Sequence, residues 1–405
     1  MLIFQYKLIK IFKMNIKNLL NKSVVDVIVK KELEEKLKAG KKLKVKFGID
    51  PSGSYLTLGH MVPVRKLGEF QKDGHEINLI FGNFTAQIGD PSGKSKVRNA
   101  LTQEEVEKNA ENYIAQVSKF LDVKKIKVFW NNDWLDKLRF SDVVKLAQTF
   151  TVQQMMERDM YQERAKKDQA IYMHEFLYPL MQGYDSVQLK SDLEIGGTDQ
   201  TFNLLAGRTI QKAYGIEPQH ILTVPLLVGT DGHEKMGKSL NNYIGVMESP
   251  KEMFGKTMSI PDEVILHYFE LTTDLSINEI EKIKKLLKEG ENPRNLKIKL
   301  AKEIVSIYYS KKEADQEEEE FIQIFSNKQN PTDIEKVNLN KEKLGIIELV
   351  KNSGFSGSNG EIRRLVQGGG VKIDGEKIDD IDKEIDLKTE KLLQVGKRYF
   401  KNVVK

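Results

Sequence analysis

The chain contains no cysteine. That excludes disulfides, thiolate metal sites and a thiol nucleophile together. No apolar run reaches the length needed to span a bilayer. Neither charge sign dominates: 64 basic and 59 acidic side chains leave a net charge of +5, so basicity alone does not announce a nucleic-acid partner. Internal repeats are absent. "HEFLY" does not complete the HExxH zinc motif, and "GDPSGKS" fails as a phosphate-binding P-loop by one residue. The first glycine of that motif would fall at Ile88, whereas the glycine present is Gly89. The N-terminal "MLIFQYKLIKIFKM" is apolar but broken by Lys7 and Lys10 and is followed by no small-residue cleavage site. It reads as a short extension ahead of a second possible start at Met14 rather than a signal peptide, and the expected compartment is the cytoplasm.

What is present points to a multidomain α/β protein. At 405 residues the chain exceeds one ordinary core, and 40% apolar with 30% charged residues suits a soluble globular protein. Between about residues 43 and 230, short apolar runs alternate with helical patterns. "KLKVKFGID", "EINLIFGNF", "KIKVFWN" and "ILTVPLLVG" read as strands, and "GHMVPVRKLGEFQKDG" as a helix stopped by Gly74. The rhythm predicts a doubly wound parallel sheet with ligands at the carboxyl ends of its strands. From Ser249 to Phe325 the pattern is helical and amphipathic. The polar stretch around Pro331 reads as a linker. The remainder predicts two short helices and a small hairpin-rich sheet, with basic side chains in modest excess. The expected boundaries are 1–248 for a catalytic domain with its N-terminal extension, 249–326 for a helical domain, 327–342 for a linker and 343–405 for a C-terminal α+β domain.

Five stretches carry candidate chemistry. In "GIDPSGSYLTLGHM", Asp50 and Ser52 follow a strand, while Thr57 and His60 open a helix, where anions are favoured. Gly59 lets a ligand approach the helix backbone, although helix packing alone also accounts for it. In "FTAQIGDPSGKSKVR", Asp90 could bind an ammonium group and Lys94 and Arg98 an anion; a plain Asp-Pro-Ser-Gly turn is about as good a reading. "HEFLYPLMQGYD" puts Tyr178, Gln182 and Asp185 on one helical face. "EIGGTDQTFN" brings Glu194, Gly196, Gly197, Asp199 and Gln200 to a strand-to-helix junction, which also serves as a capped helix start. "EKMGKSLNNYIG" is a poor helix and a poor strand. It carries Lys235, Lys238 and Ser239 on a loop that could close over a phosphate.

"TLGH" resembles the HIGH motif and "KMGKS" the KMSKS motif of class I aminoacyl-tRNA synthetases. With "DPSGKS", "YPLMQGYD" and "GGTDQ", in that order, the chain resembles the bacterial tyrosyl-tRNA synthetase family from about residue 20 onward, with an S4-like RNA-binding domain at its end. The resemblance implies a Rossmann-like catalytic domain, ATP as substrate with Mg2+, L-tyrosine and tRNA(Tyr) as the other substrates, and a homodimer. It assigns Gly48, Asp50, Ser52, Gly59, Gly196 and Asp199 to the nucleotide side, with Thr57 and His60 on the phosphates. Asp90, Tyr178 and Gln182 would hold the substrate ammonium, Asp185 the phenol and Gln200 the reacting centre, and Asp50 would also meet the tyrosine. Lys94, Arg98, Lys235, Lys238 and Ser239 would engage pyrophosphate, and Arg363 and Arg364 would contact RNA. The chain departs from the family pattern at Thr57, at Gly237 in place of a serine, and at Lys46, where some members carry a tyrosine. Two alternatives remain open at this level. One is a tryptophanyl-tRNA synthetase, disfavoured by Gln182 and Asp185; the other is a non-enzymatic S4-type RNA-binding protein, which needs neither "TLGH" nor "KMGKS".

Overall fold

The computed structural model describes residues 16–90, 102–325, 334–396 and 399–405. Lys94, Arg98, Met14 and the basic pair Lys397–Arg398 lie outside them. The chain divides into two compact units, one ending at Glu317 and the other beginning at Glu318.

The first unit is built on a six-stranded sheet comprising β1 (Asp26–Ile28), β2 (Lys44–Ile49), β3 (Glu76–Phe81), β4 (Lys127–Trp130), β5 (Leu193–Gly197) and β6 (His220–Val224). Their order is β1-β6-β5-β2-β3-β4. Strands β2 to β6 are parallel, and β1 pairs antiparallel with the edge of β6. Helices cover both faces of a parallel sheet, so its inner strands read as continuous apolar runs. β3 and β6 are buried along almost their whole length. A charge interrupts β2: Lys46 is fully buried, in register with Glu194 of β5. The chain proceeds outward through β3 and β4 on one side of β2, and through β5 and β6 on the other. The reversal lies between β2 and β5, where a crevice opens at the carboxyl ends. β2, β3, β4 and β6 are the strands expected from the sequence; β1, within "SVVDVIV", is not among them.

Helix Leu58–Lys72 follows β2, and helices Met173–Leu189 and Thr201–Ala213 flank β5. The last two pack closely. A Cβ on Gly183 would stand 3.2 Å from the Gly207 backbone and 2.6 Å from Ile210, so only glycine permits that approach. Helices Pro250–Met258, Ile265–Thr272, Ile277–Lys288 and Pro293–Tyr308 then pack around Phe254, Ile265, Phe269, Leu300 and Ile304. Ser249, Ser276 and Asn292 cap three of them by accepting backbone N–H bonds. The acidic run expected to form a solvated helix face lies in helix Lys311–Phe325. The N-terminal segment is tied to the helical part of this unit: Lys22 Nζ donates to the Leu275 carbonyl at 3.0 Å and Ser23 Oγ to that of Glu270.

The second unit contains β7 (Lys336–Asn338), β8 (Lys343–Gly345), β9 (Val371–Ile373), β10 (Glu376–Ile378), β11 (Glu384–Asp386), β12 (Lys391–Val395) and β13 (Tyr399–Val404). Five strands form the sheet β10-β9-β12-β13-β7, and β11 pairs with β8. Two short helices, Ile346–Asn352 and Asn359–Gln367, close a core of Leu349, Ile362, Val366, Val371, Leu393 and Val403. The stretch 327–342, read from sequence as a linker, includes β7, which lies parallel to β13.

Candidate active site

Asp50 leaves the carboxyl end of β2 and is held from two sides. Thr85 Oγ1 donates to its Oδ1 at 2.8 Å and Tyr178 Oη to its Oδ2 at 2.8 Å. Gly82 makes this possible, because a Cβ there would lie 2.0 Å from Asp50 Oδ1. Burial, then the charges of Asp50 and Asp90, hold the Tyr178 phenol far above its ordinary range, so it stays a donor. Across the reversal, Gln200 follows β5 and donates through Nε2 to Asp90 Oδ2 at 2.6 Å. Asn203 Nδ2 in turn bonds Gln200 Oε1 at 3.0 Å. Tyr178, Asp50, Asp90 and Gln200 thus lie at the switch point.

Asp185 lies two helical turns past Tyr178 on the same face. Its Oδ1 accepts the Trp134 indole N–H at 2.7 Å, and the Asn131 side chain also bonds it. Asn131 Nδ2 donates to Thr85 Oγ1 at 3.1 Å, so a hydrogen-bonded chain runs from Asp50 through Thr85 and Asn131 to Asp185. Burial pushes the Asp185 carboxyl up to about 7, against the opposing pull of Lys46, Trp134 and Asn131. Sequence reasoning missed Trp134, Asn131 and Thr85. A lone tryptophan in the polar stretch "NNDWL" was the one available signal. A concavity of about 470 Å³ is lined by Trp134, Leu138, Lys145, Tyr184 and Tyr214 among others. It has Trp134 in common with this cluster but none of the sequence-predicted residues, so it is a neighbour of the site.

At the start of helix Leu58–Lys72, buried Thr57 supports exposed His60. The Thr57 N–H meets His60 Nδ1 at 3.3 Å and Thr57 Oγ1 lies 2.7 Å from the same nitrogen. A backbone N–H can only donate, so Nδ1 accepts and the ring proton resides on Nε2, where it can donate outward. Thr57 therefore acts on His60, and its hydroxyl is already engaged there. Gly59 faces the lysine-bearing loop: a Cβ on it would stand 3.4 Å from Met236 Cβ.

That loop is ordered by its neighbours. Thr57 bridges Gly245, and the Leu58 N–H bonds the Ile244 carbonyl at 2.9 Å. Asn242 is its hub: Oδ1 accepts the Gly237 N–H at 2.8 Å, while Nδ2 reaches Asp231 Oδ2 at 2.7 Å and the Lys235 carbonyl at 3.2 Å. Lys235 Nζ pairs with Asp199 Oδ2 at 2.7 Å. Lys238 Nζ sits 4.7 Å above the Tyr55 ring, whose hydroxyl meets that of Tyr243 at 2.7 Å. Ser239 and Ser52 are exposed, and Gly48 has open space around its Cα. Gly196 is buried beside Gln200 and Leu204. In the second unit, Arg363 and Arg364 are both exposed on helix Asn359–Gln367.

The arrangement gathers carboxylates at a strand switch point and sets lysines on a loop beside a helix start. A family model described as tRNA synthetases class I (W and Y) matches residues 38–326. Another, described as a tyrosine–tRNA ligase SYY-like C-terminal domain, matches residues 326–399. Among curated relatives, the tyrosine–tRNA ligase of Francisella tularensis is 48% identical over 94% of this chain and 96% of its own. That of Carboxydothermus hydrogenoformans is 47% identical over 95% and 97%. The solved tyrosyl-tRNA synthetase of Archaeoglobus fulgidus, complexed with L-tyrosine, superposes with a TM-score of 0.59 at 25% identity, covering 74% of this chain and 98% of that one. A C-terminally truncated mitochondrial tyrosyl-tRNA synthetase from Aspergillus nidulans, with a TM-score of 0.62 at 24% identity over 78% and 96%, shares the fold. With a family model spanning most of its length and relatives near half-identical end to end, the chain belongs to the class I tRNA synthetases of the tryptophan and tyrosine group.

Proposed function

We infer that the chain is a tyrosine–tRNA ligase, which activates L-tyrosine with ATP and transfers it to the terminal adenosine of tRNA(Tyr). The observation that carries this reading is the buried Asp185 carboxylate. It is held by Trp134 at the end of a helical face whose other polar members are Tyr178 and Gln182. A phenol O–H needs such an acceptor, and the relatives near half-identical to this chain are tyrosine–tRNA ligases.

The tyrosine carboxylate is the nucleophile. It attacks the α-phosphorus of ATP, pyrophosphate leaves with the electron pair, and no protein nucleophile or general base is consumed. The protein contributes in-line positioning and donors aimed at the charge that develops. His60 Nε2–H, Lys235, Lys238 and Ser239 face the phosphates, with Thr57 fixing the His60 tautomer; the family resemblance adds Lys94 and Arg98 to this role. Gly48, Ser52, Gly59 and Gly196 border the nucleotide, and Asp199 takes the ribose, exchanging Lys235 for it. Asp90, Tyr178 and Gln182 hold the ammonium, with Asp50 and Gln200 beside the reacting centre. Magnesium arrives as the counterion of the ATP phosphates. A ribose hydroxyl of tRNA then attacks the adenylate carbonyl and AMP leaves.

The helices of 249–326 belong to the anticodon side, and Arg363 and Arg364 of the 343–405 region contact RNA backbone. A second copy covers the exposed Phe140, Val144, Val152 and Met173 of the catalytic region, which are more apolar surface than a monomer ordinarily shows. No helix among the described residues is long and apolar enough to cross a membrane. Pyrophosphate exchange into ATP that depends on tyrosine, and on neither tryptophan nor phenylalanine at equal concentration, tests the reading. Exchange driven by tryptophan, or none at all, overturns it.

A further inference from the structure

Beneath the tyrosine pocket lies an ion pair that the reaction does not use. Lys46 and Glu194 sit side by side on β2 and β5, Nζ to Oε1 at 2.9 Å, with side chains 0% and 2% exposed. The three N–H groups of Lys46 are all engaged: with Glu194, with the Gln182 carbonyl at 2.8 Å and with Ser186 Oγ at 2.7 Å. Glu194 is equally committed. Its Oε1 also accepts Gln182 Nε2 at 3.2 Å, while its Oε2 accepts Ser186 Oγ at 3.2 Å and Gln219 Nε2. Taking both charges out of water is costly, and it is repaid only where every remaining proton and lone pair is bonded. Those bonds tie the pair to Gln182 and Ser186 of helix Met173–Leu189 as well as to the sheet.

Gln182 is gripped at both ends, its backbone carbonyl by Lys46 and its side-chain NH2 by Glu194. A carboxylate can only accept, so Glu194 fixes the NH2 of Gln182 toward itself and turns Oε1 the other way. An ammonium group needs that orientation of the amide. The same two charges also act on Asp185 in opposite senses: Lys46 favours its ionised form and Glu194 opposes it. The other groups facing Asp185 are Trp134 and Asn131, together with Tyr178 on its own helix.

We propose that the Lys46–Glu194 pair is the positioning element of amino-acid selection, holding the Gln182 amide with its oxygen toward the substrate ammonium and balancing the field in which Asp185 receives the phenol. This rests on the reading of Asp185 and Gln182 given above. It also explains how a lysine serves at a position from which it does not reach toward the substrate: it acts through Gln182 and Asp185.

The test measures kcat/KM for tyrosine and for phenylalanine by pyrophosphate exchange from roughly pH 5.5 to 9. The variants are Lys46→Met, Glu194→Gln and the double Lys46→Met/Glu194→Leu. The tyrosine-to-phenylalanine ratio isolates Asp185, because both substrates carry the same ammonium. In Lys46→Met the midpoint of that ratio moves up by roughly one pH unit, and in Glu194→Gln it moves down. Glu194→Gln also raises KM for both amino acids about tenfold, since a neutral amide lets Gln182 flip. The double variant melts below the parent, because Ser186, Gln219 and Gln182 lose their partners, and at a temperature where it is fully folded it loses at least about tenfold in kcat/KM for both substrates. Midpoints that stay put or move together overturn the proposal, as does a double variant with parent kinetics. Should either single variant fail to fold, the double decides alone. A parent protein inactive with tyrosine would defeat the functional reading instead, which keeps the two failures apart.

Discussion

In the proposed reading Asp185 separates two substrates that differ by one hydroxyl. Tyrosine adds a donor to those that Trp134 and Asn131 already give its buried carboxyl, whereas phenylalanine covers the same carboxyl and adds none. Tyrosyl-tRNA synthetase is itself the standard illustration of this rule, so the present step is the assignment to Asp185. Asp185→Ala lowers tyrosine kcat/KM by about a hundredfold and phenylalanine only a few-fold; equal losses would make Asp185 structural. A pH dependence follows from its raised pKa. Burial pushes the Asp185 carboxyl from the ordinary 3.8 up to about 7, so below pH 7 it is largely protonated and tyrosine binding must release that proton. Tyrosine affinity relative to phenylalanine therefore rises with pH through about 7 and levels off above it, a trend that isothermal titration at several pH values reads directly. A flat ratio would count against it. Tyr178, Gln182 and Asp185 were legible in the sequence because helical spacing alone places them on one face. Trp134, Asn131 and Thr85 were not, since Asn131 and Trp134 follow β4, Thr85 follows β3, and the two segments meet Asp185 only in three dimensions. Lys46 was visible as a departure from a family pattern, but its explanation required the register that sets it beside Glu194.

At the scale of elements, the lysine-bearing loop owes its order to Asn242 and to the backbone pairing of Ile244 and Gly245 with the start of helix Leu58–Lys72. The loop and the helix start, the two parts of the proposed phosphate site, are therefore coupled. Lys238→Ala slows adenylate formation far more than it weakens tyrosine binding, because the loop acts on charge that develops during the step. Asn242→Ala gives the same kinetic pattern at smaller size, about tenfold, by releasing the Gly237 N–H and Asp231 together. Stopped-flow measurement of adenylate formation beside equilibrium tyrosine binding checks both, and parallel loss of tyrosine affinity would refute the clamp. The sequence could show this loop as neither helix nor strand, but not that a buried asparagine three residues past Ser239 would pin it. Strands were readable wherever both faces are buried. β1 is three residues long with an exposed end, and β7 is three residues of polar chain, so neither carries the apolar run that marks a strand.

For the whole molecule, the second unit has its own core and its own sheet. Removing residues 326–405 leaves tyrosine-dependent pyrophosphate exchange within about twofold of the full chain, while tRNA charging falls at least about tenfold. RNA binding by the intact protein weakens steeply as salt rises, because phosphate contacts release counterions. A truncated chain that charges tRNA normally would remove Arg363 and Arg364 from the RNA-binding account. Light scattering at micromolar concentration should return twice the chain mass, and Phe140→Asp should shift it toward monomer; a parent of single-chain mass would leave the apolar helix Phe140–Ala147 without its proposed cover.

The antiparallel edge strand has a consequence in time. Asp26 pairs with Thr223, 197 residues further along. A ribosome adding roughly 5–20 residues per second needs about 10–40 s between making the first of these and the second. The first strand of this sheet to emerge is therefore among the last of the sheet to find its ladder, and Lys22 waits longer still for the Leu275 carbonyl. Nascent chains arrested before β6 leaves the exit tunnel should be cut by protease near Val25–Ile28, and those arrested after it has emerged should be protected there.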